Sequence, residues 1–288
     1  MALDFEWIEP ESLEEVKQAL SSGDIGTRIV SGGTALSLIM KQGIYSPERL
    51  VSLKRVKQQL NYIKADELGN LYIGCMTTLR DMELSPLVQK LAPVIIDALH
   101  HVANPRIRYV ASIGGNLSHG DAHLDLPPIL LAMGAKIKAE STTEERWIEL
   151  KDFFHGYYET SLEPSEILTE VFIPKQDNRL IGTYMKYTTL SNDDWPTLGV
   201  AAFLRIEDGI VSEIRLVVSA VTDVPTQLTE VEEMLWGKSL DEELIEKAAL
   251  RAYDIVEPLE DLRGSVWYKK EMVKVHIRRV LNQLLLEA

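Results

Sequence analysis

The segment Ser112-Ile-Gly-Gly-Asn-Leu-Ser-His-Gly-Asp-Ala-His-Leu-Asp-Leu-Pro-Pro128 combines two kinds of chemistry. His119, Asp121, His123 and Asp125 alternate as the ligands of a cation would on a strand, where every second side chain shares a face. Directly before them, Ile113-Gly114-Gly115 lies between Ser112 and Asn116, and Ser31-Gly32-Gly33-Thr34 has the same character earlier in the chain. Glycine lets a backbone approach an anion closely, and small polar neighbours add donors. Two such turns suit the two sides of one pyrophosphate, although neither follows the Walker pattern or G-x-G-x-x-G. The metal reading requires a strand. A stretch between Gly-Gly-Asn and Pro-Pro reads instead as an irregular loop, in which the four side chains scatter.

Short strands and helices must position these turns. Before residue 176 the hydrophobic pattern predicts strands over 5–8, 28–30, 49–53, 71–74, 135–139 and 167–173, and helices over 12–20, 35–42 and 86–102, the last interrupted at Pro93. Strand 28–30 runs straight into Gly32-Gly33, which therefore sit where a strand meets a helix and where unpaired N–H groups and the helix dipole favour an anion. Pro174 and the polar Lys175-Gln-Asp-Asn178 mark a boundary, giving domains 1–176 and 177–288. The second begins with three strand-like runs, 183–189, 198–207 and 211–221, with Asp208-Gly209 as a tight hairpin turn. Helices follow over 227–235, 240–254 and 266–286. The fold class is α+β, and its rear part is a three-stranded antiparallel sheet against a three-helix bundle.

Composition narrows the function. The 288 residues carry 30 Lys and Arg against 44 Asp and Glu, a net charge of −14 with no basic stripe, so nucleic acid is a poor partner. The opening MALDFEWIEP has acids where a signal peptide carries basic residues, and no apolar run is long enough to span a bilayer, so a cytoplasmic location is expected. Cys75 is the single cysteine. One thiol supplies neither a disulfide nor the ligands of a zinc or iron–sulfur centre, and any such centre must come from another chain.

Asn104-Pro-Arg-Ile-Arg108, Ser112-Ile-Gly-Gly-Asn116 and Asp125-Leu-Pro-Pro128 together resemble the signature of the FAD-binding medium subunit of molybdenum hydroxylases, the xanthine dehydrogenase and carbon monoxide dehydrogenase flavoprotein family. Ser31-Gly-Gly-Thr-Ala35, Ser46-Pro-Glu-Arg-Leu50 and Asp261-Leu-Arg-Gly-Ser265 with Tyr268 extend the resemblance over nearly the whole chain. It implies a two-lobed FAD-binding domain of the vanillyl-alcohol-oxidase or PCMH type, closed over the flavin by the second domain. It further implies that residues 31–35 (Ser31, Gly32, Gly33, Thr34, Ala35) and 112–116 (Ser112, Ile113, Gly114, Gly115, Asn116) hold the pyrophosphate and ribityl chain. By the same resemblance Asp125 lies near the flavin and its sugar chain, Val102 beside the adenine and Leu162 near the flavin, and Lys186 reaches the ring from the second domain.

The implied partners are a molybdopterin-binding large subunit and a small 2Fe-2S subunit, with NAD or another acceptor for the electrons. In such a division of labour the flavin performs the redox step while the protein positions it. Two departures stand out, the first bearing on a contact to the cofactor and the second on the ring environment and the electron acceptor. Ala35 stands where relatives often carry a polar or acidic side chain, and the arginines that tend to follow the Lys186 position are replaced by Tyr187-Thr-Thr-Leu-Ser-Asn-Asp-Asp-Trp195-Pro196. Trp195 is the candidate aromatic shield of the flavin ring. A free-standing oxidase of the vanillyl-alcohol-oxidase type is the alternative, but it predicts an acid/base cluster over the ring, and residues 177–288 show none.

Overall fold

The run Leu198-Gly-Val-Ala-Ala-Phe-Leu-Arg-Ile-Glu207 is apolar on both sides of its alternation, as a strand buried on two faces must be. In the computed structural model, which describes residues 4–191 and 193–288, it has that position. Met1, Ala2 and Leu3 of the opening segment and Asn192 of the 187–196 stretch lie outside the described residues. Ala201 and Phe203 pack into the front core, whereas Leu198, Val200, Ala202 and Leu204 pack against the rear helices. One strand therefore serves two apolar clusters and ties the front of the chain to its rear.

The front part contains two sheets. The first is parallel, with Arg49–Ser52 central between Glu6–Ile8 and Thr27–Val30. Parallel neighbours need crossovers, supplied in part by the helices Leu13–Leu20 and Thr34–Lys41. Ser12 caps the former, its Oγ accepting from the Glu15 N–H at 3.2 Å. The second sheet is antiparallel, in the order Ile63–Ala65, Leu71–Gly74, Ile167–Ile173, Lys136–Glu140, Glu145–Glu149.

The rear sheet differs from the three-stranded expectation. Thr226–Gln227 pairs with Val217 and Val218, so the order is Ile181–Tyr187, Leu198–Glu207, Ile210–Ser219, Thr226–Gln227. The helix expected from residue 227 starts at Thr229 instead, because Gln227 extends into the sheet and its amide donates to Glu232. The first strand is also displaced, ending at Tyr187 where the N–H of Thr197 closes the following loop on its carbonyl. The β-branched pair Thr188-Thr189 has strand propensity, but tertiary context leaves it outside. Asp208 and Gly209 both have positive φ, 52° and 78°, as a two-residue hairpin turn requires. The helices Glu242–Ile255 and Val266–Glu287 complete the rear layer.

The stretch read as a loop from Ser112 to Pro128 is largely helical, with Ile113–His119 and Leu126–Ala132 flanking a short turn. Two glycines suppressed the helix signal in the first of these. The full burial of Ile113 and Leu117, four residues apart, and the Ser112 cap overcome that low propensity. No helix among the described residues is long and apolar enough to cross a membrane.

Cys75 lies at the end of Leu71–Gly74, buried against the start of Ile113–His119, and burial pushes its thiol up to about 12. A thiol needs both access and its anion to react. Ellman's reagent is expected to leave the native chain unlabelled and to titrate one thiol only after denaturation. Labelling of native protein at the rate of a free thiol would contradict this packing.

Candidate functional site

Strand Thr27–Val30 delivers Ser31 and Gly32 to Gly33, whose φ of +67° turns the chain into helix Thr34–Lys41. A left-handed conformation costs a residue with a Cβ about 1–2 kcal/mol, which glycine avoids. Gly33 offers no side chain to cap the helix, and the main-chain N–H groups of Gly32 and Gly33 have no partner among the described residues. Gly32 is needed for a different reason. A Cβ there would lie 1.8 Å from the carbonyl oxygen of Val110, so this turn rests directly on the backbone leading to the second.

The two turns meet through their serines, the Oγ atoms of Ser31 and Ser112 lying 2.8 Å apart. Their donors are disposed differently. In the second turn Ile113 N–H donates to Thr77, Gly114 N–H to Cys75, Gly115 N–H to Ser112 Oγ and Asn116 N–H to the Ser112 carbonyl. That turn therefore offers a ligand side chains more than main-chain amides. Asn116 Oδ1 is buried without a hydrogen-bond partner among the described residues. A buried acceptor without a partner costs about 1–3 kcal/mol.

The four alternating side chains separate. His119, half-buried, packs its ring 5.0 Å from that of Tyr158, and burial lowers its pKa. Asp121 accepts from the His123 N–H, the His123 Nδ1 side and Tyr158 OH. Burial alone would raise the Asp121 carboxyl, but these hydrogen bonds hold it below its ordinary value. His123 Nε2 lies 3.3 Å from Asp261 of the rear part, which also takes the buried Lys269 at 2.9 Å. Among the described residues no group of three or more His, Cys, Asp or Glu side chains is placed to hold a metal ion.

Asp125 turns elsewhere. It stands at the start of helix Leu126–Ala132 yet makes no capping hydrogen bond, which removes the turn-capping role for its carboxylate. Its Oδ1 accepts from Tyr184 OH at 2.7 Å and its Oδ2 from Lys186 Nζ at 3.2 Å. Strand alternation explains the convergence: Tyr184 and Lys186 share the sheet face that looks at the front domain, while Met185 and Tyr187 pack on the helices. Lys186, which by itself reads as a solvated strand residue, is thus buried in an ion pair and also donates to the His101 carbonyl at 2.8 Å. Burial pushes the Asp125 carboxyl up, opposed by the Lys186 charge and the Tyr184 hydroxyl, and burial raises the Tyr184 phenol well above its ordinary value.

The remaining candidates flank this pair. Val102 is buried in the turn after helix Pro93–Leu99, and Leu162 is half-buried against the front core. Ala35 lies in the first turn of its helix and adds no polar group. Trp195 is 36% exposed, its ring 5.9 Å from that of His123 and 5.9 Å from the Arg263 guanidinium. Sequence patterns missed Tyr184 and Arg108. The i, i+2 spacing of Tyr184 and Lys186 carries the first once a strand is assumed; nothing local announces that the Arg108 guanidinium is buried.

The arrangement offers a helix start with unpartnered N–H groups, a second glycine turn in contact with it, and a buried lysine–carboxylate pair between the front and rear parts. Residues 3–176 match the FAD binding domain in molybdopterin dehydrogenase, and residues 183–284 the CO dehydrogenase flavoprotein C-terminal domain. The chain is 32% identical over 280 residues to the carbon monoxide dehydrogenase medium chain of Hydrogenophaga pseudoflava, covering 96% of each. To the glyceraldehyde dehydrogenase medium chain of Sulfolobus acidocaldarius it is 29% identical over 281 residues, covering 98% of each. A solved structure of carbon monoxide dehydrogenase from Hydrogenophaga pseudoflava superposes with a TM-score of 0.93 at 32% identity, over 97% of this chain and 96% of that one.

Proposed function

The chain belongs to the FAD-binding medium subunits of the molybdenum hydroxylase family, oxidoreductase subunits whose cofactor is FAD, and from that premise we propose that it carries electrons between an iron–sulfur partner and an external acceptor such as NAD. The observation that supports this reading most directly is the 2.8 Å contact between the hydroxyls of Ser31 and Ser112, which brings the first glycine turn, with the unpartnered N–H groups of Gly32 and Gly33, against the second. A diphosphate needs donors and a ribityl chain needs acceptors for its hydroxyls. Both are present at one junction.

In this reading residues 1–176 form the FAD-binding domain and 177–288 the domain that closes on it. Residues 31–35 hold the diphosphate at the helix N-terminus, and Ser112, Asn116 and Asp125 line the ribityl chain and flavin. Val102 borders the adenine, Leu162 and Lys186 the flavin, and Trp195 shields the ring. FAD, when bound, supplies one- and two-electron redox chemistry. The chain's own task is to hold the ring, exclude water around it, and keep the Lys186 ammonium where a developing negative charge is stabilised. The molybdopterin-binding large subunit acts on the substrate, and the whole assembly is cytoplasmic. Relatives of comparable identity are named for carbon monoxide and for glyceraldehyde, which suits a subunit that the substrate does not touch.

The full-length chain, expressed with its large and small partner subunits, is expected to carry stoichiometric FAD. Reduction of the iron–sulfur subunit should bleach the flavin absorption, and the external acceptor should restore it. A chain that stays colourless after incubation with FAD, or a flavin that the iron–sulfur subunit cannot reduce, overturns the reading.

A further inference from the structure

His123 is buried in the short turn between helices Ile113–His119 and Leu126–Ala132, with a carboxylate at each ring nitrogen. Its Nδ1 lies 2.9 Å from Asp121 Oδ1 of the front part, and its Nε2 lies 3.3 Å from Asp261 Oδ2 of the rear part. A neutral imidazole has one N–H and donates to only one of them, whereas the imidazolium donates to both. Each carboxylate is also fixed by other groups. Tyr158 OH donates to Asp121 Oδ2 at 2.9 Å, while Asp261 takes the fully buried Lys269 at 2.9 Å and the Arg263 N–H at 2.8 Å. The Lys269 ammonium donates as well to the Leu259 carbonyl at 2.7 Å, which seats the 261–264 turn on helix Val266–Glu287.

The same junction surrounds Trp195. The His123 ring lies 5.9 Å from the Trp195 ring at 31° between planes, and the Arg263 guanidinium lies 5.9 Å from the same indole. A cation about 6 Å or less from an indole ring is attracted by its quadrupole. Asp261 thus holds two neighbours of Trp195, His123 through a ring nitrogen and Arg263 through its main-chain N–H.

We propose that His123 is a positioning residue, bridging Asp121 and Asp261 across the junction of front and rear parts and thereby holding Trp195 against the flavin ring. This rests on the reading of Trp195 as the shield of that ring. Without the bridge the 261–264 turn keeps Lys269 but loses this tie to the front part, and the indole loses the fixed place of both neighbours.

The test uses the full-length chain loaded with FAD and reads the decay of flavin fluorescence. An indole against the ring quenches the flavin, so the amplitude of the fast component measures the fraction of chains with Trp195 in place. Trp195→Phe is expected to remove that component. His123→Phe keeps an aromatic ring but loses both nitrogens, and it is expected to raise the ratio of slow to fast amplitude about tenfold, the loss of one charged hydrogen bond between the two parts. His123→Gln, whose amide reaches one carboxylate at a time, should give a smaller rise, and it decides the matter alone if the Phe variant does not fold. A folded His123 variant with the wild-type decay would show that packing alone holds Trp195 and would overturn the proposal. A decay unchanged by Trp195→Phe is a distinct result, which removes the shield reading and the proposal with it. A chain that retains no FAD overturns the proposed function itself.

Discussion

Gly32→Ala is expected to abolish FAD retention and to lower the stability of the front domain by about 3 kcal/mol or more, because the new methyl group would lie 1.8 Å from the Val110 carbonyl oxygen. The obstacle is backbone, so no side-chain rotation relieves it. The strand-to-helix turn would have to lift off the 110–111 stretch, breaking the Ser31 to Ser112 contact and displacing the N–H groups of Gly32 and Gly33. Gly33→Ala is the informative neighbour. Its nearest contact is Val30 Cγ2 at 3.4 Å, so the cost is that of a positive φ, about 1–2 kcal/mol. Thermal unfolding together with the flavin content of the purified protein separates the two. Equal effects from both substitutions would mean that backbone conformation, and not the close approach to Val110, governs this turn.

Asp125→Ala leaves the Lys186 ammonium buried without its carboxylate and is expected to destabilise the chain by about 3–5 kcal/mol. The flavin environment should change with it, since the same pair joins the front domain to the sheet that faces it. Lys186→Met is expected to cost less, and its cost should depend on pH. Without the ammonium, Asp125 keeps the Tyr184 hydroxyl but loses the charge that offsets burial, so its folded pKa rises further above the unfolded value. A carboxyl with a raised folded pKa binds its proton more tightly in the native state. Its stabilising contribution is complete below the unfolded pKa of about 4 and is lost as pH rises through the folded one. The deficit of Lys186→Met relative to wild type should therefore shrink from about pH 8 to about pH 5. Denaturant titrations across that range measure it. A deficit that grows on acidification would show that Asp125 does not titrate as a buried, unpaired carboxyl.

Glu232 illustrates the same balance in the rear part. It caps no helix, but its buried carboxylate accepts from the Leu216 N–H at 2.6 Å and from the Gln227 amide. Burial raises its pKa against those hydrogen bonds. That arrangement explains the fourth strand: Gln227 is held beside the sheet by a residue in the first turn of the next helix. Sequence pattern places a helix there correctly and misplaces its start, because the competing pairing comes from a strand eight or more residues earlier.

What the amino-acid order determined by itself is local. The strand 198–207 follows from an apolar run of the right length, the hairpin from Asp208-Gly209, and the strand-to-helix turn from Gly32-Gly33, all of them short-range choices of backbone conformation and period. The family resemblance follows from motifs of the same short range. The site's connections are long-range. Ser31 meets Ser112 across 81 residues, Lys186 meets Asp125 across 61, and the aspartate and histidine run at 119–125 splits among Tyr158, Asp261 and Lys186. No period predicts those partners, because which polar groups are buried, and with which counter-charge, is decided only when the sheet Ile181–Tyr187 to Thr226–Gln227 packs on the front core and water is excluded between them.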